Sequence, residues 1–161
     1  MNKQSVRRAL PADAEGFVRA HEASWDATIG AIVGRSLGEL ASFADRVTRF
    51  RAGVDEPPPH TGAWVGERDG EIVGIAVRAG AELRDLNVVP DAWGSGMAKE
   101  LMEAALADIR ADSSAEALLW VGEENARARR FYEREGWTQS DETRASVLGA
   151  TEVQYRLDLT N

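Results

Sequence analysis

The sequence predicts a single α/β (α+β) domain over residues 1–161: a mixed, mostly antiparallel sheet of six to seven strands with helices on both faces. Three observations lead there. Strands joined by tight turns come early, around Arg68-Asp69-Gly70-Glu71. Strand–helix–strand pieces come later, one of them around Gly94-Ser95-Gly96. The chain closes on a strictly alternating run, Val153, Tyr155, Leu157 and Leu159. Early hairpins require antiparallel pairing, and a β-α-β piece requires a crossover whose helix covers one face.

In chain order, Gln4 to Leu10 reads as a first strand ended by Pro11. Ala12 to Ser24 reads as a helix with Phe17, Ala20, His21 and Trp25 on one side, and Asp13 as its cap. Gly30 and Gly34 break the chain; Ser36-Leu37-Gly38-Glu39 then has capping-box form, and Leu37, Leu40, Phe43, Val47 and Phe50 supply the apolar face of a second helix. Gly53 to Gly62, with Pro57-Pro58-Pro59, is expected to be a surface loop near the substrate entrance. Ala63–Glu67 and Ile72–Arg78 form a hairpin across an Asp-Gly turn, and Ala79-Gly80-Ala81 turns the chain into the central strand.

That strand holds Leu86, Val88 and Val89 and is closed by Pro90. Gly94 and Gly96 follow, then Met97, Leu101, Ala105 and Ile109 recur at helical spacing until Asp112-Ser113-Ser114. A helix start has free N–H groups and a positive dipole end, both suited to phosphate oxygens. The turn is neither a Walker A loop nor a GxGxxG fingerprint, and taken alone it also suits a plain strand-to-helix connection. Leu118-Leu119-Trp120-Val121 reads as the next strand. Asn125 caps the helix Ala126–Arg134, Gly136 ends it, and Trp137 opens a short strand before the polar stretch Ser140–Gly149.

Composition narrows the chemistry. With 43% hydrophobic and 29% charged residues the chain belongs to the soluble globular class. It has no cysteine, which excludes disulfides and thiolate nucleophiles. Its two histidines, His21 and His60, share no ligand spacing, so no metal site is expected. No apolar run approaches the roughly 20 residues of a membrane helix, and Met1-Asn2-Lys3-Gln4-Ser5 leads to no signal core. The expectation is a cytoplasmic protein without a membrane partner. The net charge of −8 argues against nucleic-acid binding and mildly favours cationic partners such as an amine.

Two blocks together resemble the GNAT superfamily of acyl-CoA-dependent N-acyltransferases: Val88-Val89-Pro90 with Trp93-Gly94-Ser95-Gly96-Met97-Ala98, and Asn125 with Phe131-Tyr132-Glu133-Arg134-Glu135-Gly136-Trp137. Trp93 departs from the pattern, which usually has Gln or Arg there. The resemblance implies an N-acetyltransferase using acetyl-CoA as cosubstrate on a primary amine of a small molecule or peptide. It implies that the backbone of Leu86, Asn87 and Val88 pairs with the pantetheine arm, the Val88 N–H facing the thioester oxygen. Gly94, Ser95, Gly96, Met97, Ala98 and Lys99 would hold the pyrophosphate, Asn125 would contact the cofactor, and Tyr132 would protonate the sulfur. Lys99, Arg129 and Arg130 are further phosphate candidates.

A strand glutamate that serves as base in some members is matched by Trp120, so that role does not carry over. Glu82, Asp85 and Glu124 remain as candidates for the base. Trp25 and Asp85 are candidates for meeting the acceptor, and Glu22 and Asp26 for attracting a cation. A homodimer through the last strands or the adjoining helix is expected, because the alternating final strand reads as an edge in need of cover. Two other classes stay open: a non-catalytic acyl-CoA-binding module on the same fold, and a nucleotide-binding β-α domain. The early hairpins and the lack of an acidic ribose partner disfavour the second.

Overall fold

The computed structural model describes residues 3–160. Met1 and Asn2, on which part of the N-terminal reading rests, and Asn161 lie outside the described residues. The strands are β1 (Gln4–Arg8), β2 (Thr61–Arg68), β3 (Glu71–Ala79), β4 (Glu82–Val88), β5 (Glu116–Gly122), β6 (Thr138–Ala145) and β7 (Thr151–Asp158). The helices are α1 (Ala14–Trp25), α2 (Ala31–Val33), α3 (Leu37–Leu40), α4 (Phe43–Asp55), α5 (Met97–Ala111) and α6 (Ala126–Arg134). All seven strands form one sheet in the order β1-β2-β3-β4-β5-β7-β6. Every pairing is antiparallel except β4 with β5.

Alternation along the strands splits the core into two layers. Trp64 of β2 and Ala76 of β3 pack with Met97, Leu101, Ala105 and Ile109 of α5. Val65 and Ile75, their neighbours along the same strands, pack on the opposite face with Phe17 and Val18 of α1 and Val47 of α4. Helices therefore cover both faces, as expected. Gly66 lets α5 approach this closely: a Cβ there would fall 2.1 Å from the Met97 sulfur.

Four expectations change. Asp13 does not cap α1; its carboxylate accepts the Leu10 N–H at 2.7 Å and takes both Nη atoms of Arg7, at 2.7 and 2.9 Å. The second helix is two helices. Ser36 caps α3 by accepting the Glu39 N–H, but Ala41 is extended, and Ser42 starts α4 afresh by accepting the Asp45 N–H. The polar stretch after Trp137 continues as β6 through Ala145, exposed along most of its length. Finally, β7 is no edge. It pairs with β5 on one side and β6 on the other, which buries Val153, Gln154 and Tyr155. The polar β6 forms that sheet edge instead, a placement that discourages strand-to-strand association. The edge-covering argument for a dimer through β7 therefore lapses.

Candidate active site

The site grows from a failure of pairing. Strands β4 and β5 meet at one bridge, Glu82 opposite Leu118, with the Leu118 N–H donating to Ala81 at 3.0 Å. Beyond that point they part and leave a crevice of about 620 Å³, within the usual size of a small-molecule site. The ladder phase shows what β4 offers it. Val89 donates to the Val73 carbonyl at 2.9 Å, so Val89 and Val73 are a hydrogen-bonded pair. Antiparallel ladders alternate, so Asn87 and Ile75 bond in the same way, and Leu86 and Val88 turn their N–H and C=O groups away from β3, toward the crevice. Asn87 borders the crevice but gives its backbone to β3, which removes it from the expected set of main-chain contacts. A register shift between Val77 and Arg78 makes Arg84 an extra residue on β4, bending the strand where it leaves β5.

At one end of this edge the chain passes through a single 3₁₀ turn, Pro90–Ala92, and enters α5. Gly94 and Gly96 have φ of +77° and +85°, a region costly for any residue with a Cβ. Gly96 is the N-cap of α5 and carries no side chain to close it. The Ser95 hydroxyl donates to Ala92 at 2.6 Å and accepts from the Met97 N–H at 3.3 Å. Among the described residues, the N–H groups of Gly94, Gly96, Ala98 and Lys99 have no hydrogen-bond acceptor. Buried Met97 and Leu101 hold the helix start against the sheet, so these donors are fixed at the crevice. Lys99 lines it and pairs with Glu135 at 3.8 Å.

Facing this from the β5 side is α6. Asn125 caps it, its Oδ1 accepting the Ala128 N–H at 3.3 Å, as expected. Tyr132 is buried between Phe131 and Trp137, edge-on to both rings, yet lines the crevice. Its hydroxyl has no hydrogen-bond partner among the described residues. Burial, and secondarily the Asp85 charge, push its pKa up from that of an ordinary tyrosine, so it keeps its proton at neutral pH.

Among the described residues, three acids line the crevice, Asp85, Glu135 and Glu152; Glu135 pairs with Lys99 at 3.8 Å and Glu152 with Arg144 at 2.9 Å, whereas Asp85 faces the crevice from β4 beside His21. Burial in the cleft pushes its pKa up, while His21 and then Arg84 act in the opposite direction. His21 of α1 stands 3.9 Å away, Nε2 to Oδ1. Glu82 and Glu124 do not join it. Glu82 lies at the β4–β5 bridge, 3.4 Å from Arg84, and Glu124 is exposed in the loop before α6; neither lines the crevice. Trp25 is also outside the lining. The chain winds into a π-helical turn, Asp26–Gly30, that stacks Trp25 on Gly30 and turns Ser24, Thr28 and Ile29 to the crevice instead. The Pro57-Pro58-Pro59 loop is elsewhere too, with Pro57 bordering a separate cavity of about 300 Å³ beside Phe50 and Val54. Glu22 pairs with Arg46, and Asp26 accepts the Leu37 N–H at 2.7 Å, which ties down the start of α3.

Of the arginines, Arg129 is spent on structure, donating to Tyr155, the Glu123 carbonyl and Gln139 at 3.1, 2.9 and 2.9 Å. Arg130 lines the crevice. Sequence reasoning missed Arg127, whose guanidinium lies 3.9 Å from the Trp93 ring centroid. The Trp93 indole N–H in turn donates to the Val88 carbonyl at 2.8 Å. The pair therefore spans from the loop after β4 to the first turn of α6. The only signal was the unusual Trp93 itself.

The sequence matches the family model described as Acetyltransferase (GNAT) family over residues 18–137. An uncharacterized N-acetyltransferase of Archaeoglobus fulgidus is 31% identical over 138 residues, covering 79% of this chain and 88% of that protein. Two solved structures share the fold: a GCN5-related N-acetyltransferase from Rhodopseudomonas palustris (TM-score 0.79, 21% identity, 99% of this chain and 98% of that one) and the PaiA N-acetyltransferase of Thermoplasma acidophilum in complex with coenzyme A (TM-score 0.73, 16% identity, 94% and 98%). With the parted strands, the bare helix start and these matches in place, the chain belongs to the GNAT acetyltransferase family.

Proposed function

We propose that this protein transfers an acetyl group from acetyl-CoA to a primary amine of a small molecule or peptide, by direct attack while both substrates are bound. The observation that carries the reading is the continuous edge from the unfilled N–H groups of Gly94, Gly96, Ala98 and Lys99, past the Val88 N–H and the Leu86 backbone, to Asp85 and Tyr132. A long, thin donor with phosphates at one end and a thioester at the other matches that sequence of groups: an anion for the helix start, amides for the strand edge. The coenzyme A complex of the PaiA relative supports the same donor.

The donor supplies the activated acyl carbon; the chain supplies position and protons. The Leu86 and Val88 N–H groups point into the crevice, where one of them would meet the thioester oxygen. An alkyl ammonium with a pKa near ~10.4 must lose a proton to become a nucleophile, and Asp85 is the carboxylate at hand. Attack of the amine on the acyl carbon gives a tetrahedral intermediate whose collapse breaks the C–S bond; Tyr132, still protonated, gives its proton to the departing sulfur, and the second proton that the nitrogen sheds on becoming an amide restores the Tyr132 hydroxyl. No cysteine is available for an acyl-enzyme, which favours direct transfer.

The test is CoA release from acetyl-CoA over a panel of small primary amines and amino-terminal peptides, with acetyl-CoA affinity measured beside it by calorimetry. Acetylation of at least one class is expected. Tight acetyl-CoA binding with no turnover of any amine would overturn the reading in favour of a non-catalytic acyl-CoA-binding module.

A further inference from the structure

A base at the bottom of a crevice has a problem once the crevice fills. The Asp85 side chain is now 35% exposed, but the surface it exposes faces the space that donor and acceptor would occupy. With both in place, a proton taken by Asp85 has no way out past them. It must either stay, leaving the base spent until product leaves, or exit by another side.

His21 occupies the other side. It comes from α1, on the sheet face opposite α5, and does not line the crevice, although Ser24, Thr28 and Ile29 of the same stretch do. Its Nε2 is 3.9 Å from Asp85 Oδ1, a gap that one small side-chain movement or one water spans. Its side chain remains 23% exposed, so it faces Asp85 within and solvent without. We propose that His21 is a back-door proton relay for Asp85, carrying away from the filled site the proton that Asp85 takes from the acceptor ammonium. This rests on the acetyl-transfer reading above.

The protons balance at each step. The acceptor R–NH₃⁺ gives one proton to the Asp85 carboxylate, forming R–NH₂ and Asp85–COOH. Asp85–COOH passes it to neutral His21, restoring the carboxylate and forming the imidazolium. The imidazolium releases it to water. The groups around the pair suit this traffic. His21 is faced by Asp85 from β4, Arg46 from α4 and Glu22 from its own helix; Asp85 is faced in addition by Arg84, Glu82 and Tyr132. Burial first, and then Arg46, hold the His21 pKa below that of an ordinary histidine, with Asp85 and Glu22 opposing. The ring is therefore neutral at neutral pH; the two shifts make it a transient carrier of the Asp85 proton rather than its resting place, and an imidazolium formed there sheds its proton readily to water. Arg46 is itself buried beside Glu22, with Nε and Nη1 lacking acceptors among the described residues, and its charge acts on the ring.

The experiment has two arms on the full-length protein. The first needs no substrate. With only two histidines in the chain, their ring resonances can be followed by NMR across pH, and His60, exposed and 3.0 Å from Asp112, is an internal reference. Asp85→Asn should lower the His21 midpoint by about half a pH unit or more, because the carboxylate that favours the charged ring is gone, and leave His60 unmoved. An unmoved His21 midpoint overturns the relay. The second arm measures the pH profile of kcat in His21→Gln with an amine that the wild type acetylates, or with acetyl-CoA hydrolysis if none is found. Loss of about tenfold or more in kcat, a displaced acidic limb and an acetyl-CoA KM within twofold are expected. A structural role alone would lower Tm or raise KM without moving the limb, and that result, or a profile identical to wild type, contradicts the proposal. If no wild-type turnover of any kind exists, the acetyl-transfer reading fails, and the relay fails with it; if turnover exists but His21 does not respond to Asp85, only the relay fails.

Discussion

Two helices start at the crevice, and they start differently. α6 follows β5 and is closed by its own chain: Asn125 Oδ1 takes the Ala128 N–H, and Gly122 accepts the Asn125 N–H at 2.9 Å. α5 follows β4 and is left open, with a left-handed glycine where a capping side chain would sit. Helices α3 and α4 are also capped, by Ser36 and Ser42, whereas α1 has no side-chain cap. An unfilled helix start costs stability unless water or a ligand fills it. The protein spends a cap on α6, which holds Tyr132 still, and withholds one from α5, where donors are needed for something else. One helix positions chemistry and the other binds.

If that division holds, substitutions on the two helices should fail in different ways. The largest effect belongs to α6. Tyr132→Phe keeps the ring packed against Phe131 and Trp137 and removes only the proton. Because the hydroxyl has no partner among the described residues, little stability should be lost with it. kcat should fall by roughly 10²–10⁴-fold, with acetyl-CoA affinity and Tm close to wild type. Steady-state rates under conditions where chemistry limits, with a calorimetric titration alongside, decide it. Wild-type turnover would mean that another group protonates the sulfur.

Next come the two starts themselves, compared directly. Gly96→Val forces a β-branched residue into φ +85° and disturbs the free donors. Acetyl-CoA affinity should fall at least tenfold, about 1.4 kcal/mol, in a protein whose circular dichroism still shows a folded chain. Asn125→Ala removes the α6 cap at a residue that also borders the crevice; it should cost about 1 kcal/mol of stability, read as a lower Tm, with a smaller loss of affinity than Gly96→Val. Equal losses of affinity in the two variants would erase the distinction.

The local elements of this fold were legible in the sequence, because each carries a local cause. The Asp69-Gly70 hairpin, the Asn125 cap and the apolar face of α5 need only neighbours within a few residues. Beyond the restart of α4 at Ser42 and the uncapped start of α1, what was not legible depends on partners far apart in the chain. β7 inserts between β5 and β6, and alternation in one strand cannot say which strands flank it. The continuation of β6 has no apolar period, because an exposed edge strand needs none. The site divides in the same way. The glycine turn and Tyr132 sit in local motifs. The meeting of Asp85 with His21, and of Trp93 with Arg127, exists only once β4 has been placed against α1 and across from α6. Glu124 and Asp85 looked equivalent as carboxylates; only the parting of β4 from β5 distinguishes them.

The account turns on α5 being left open for a ligand, and one measurement addresses that directly. Acetyl-CoA titrated into ¹⁵N-labelled protein should shift the amide resonances of Gly94, Gly96, Ala98 and Lys99 most strongly. Leu86 and Val88, whose N–H groups face the crevice, should follow. The amide of Ala128, already bonded to Asn125, should move little. Saturable shifts in that order are the predicted result. Binding that leaves the Gly94–Lys99 amides unmoved, or perturbs the capped start of α6 as strongly as the open start of α5, would contradict the account.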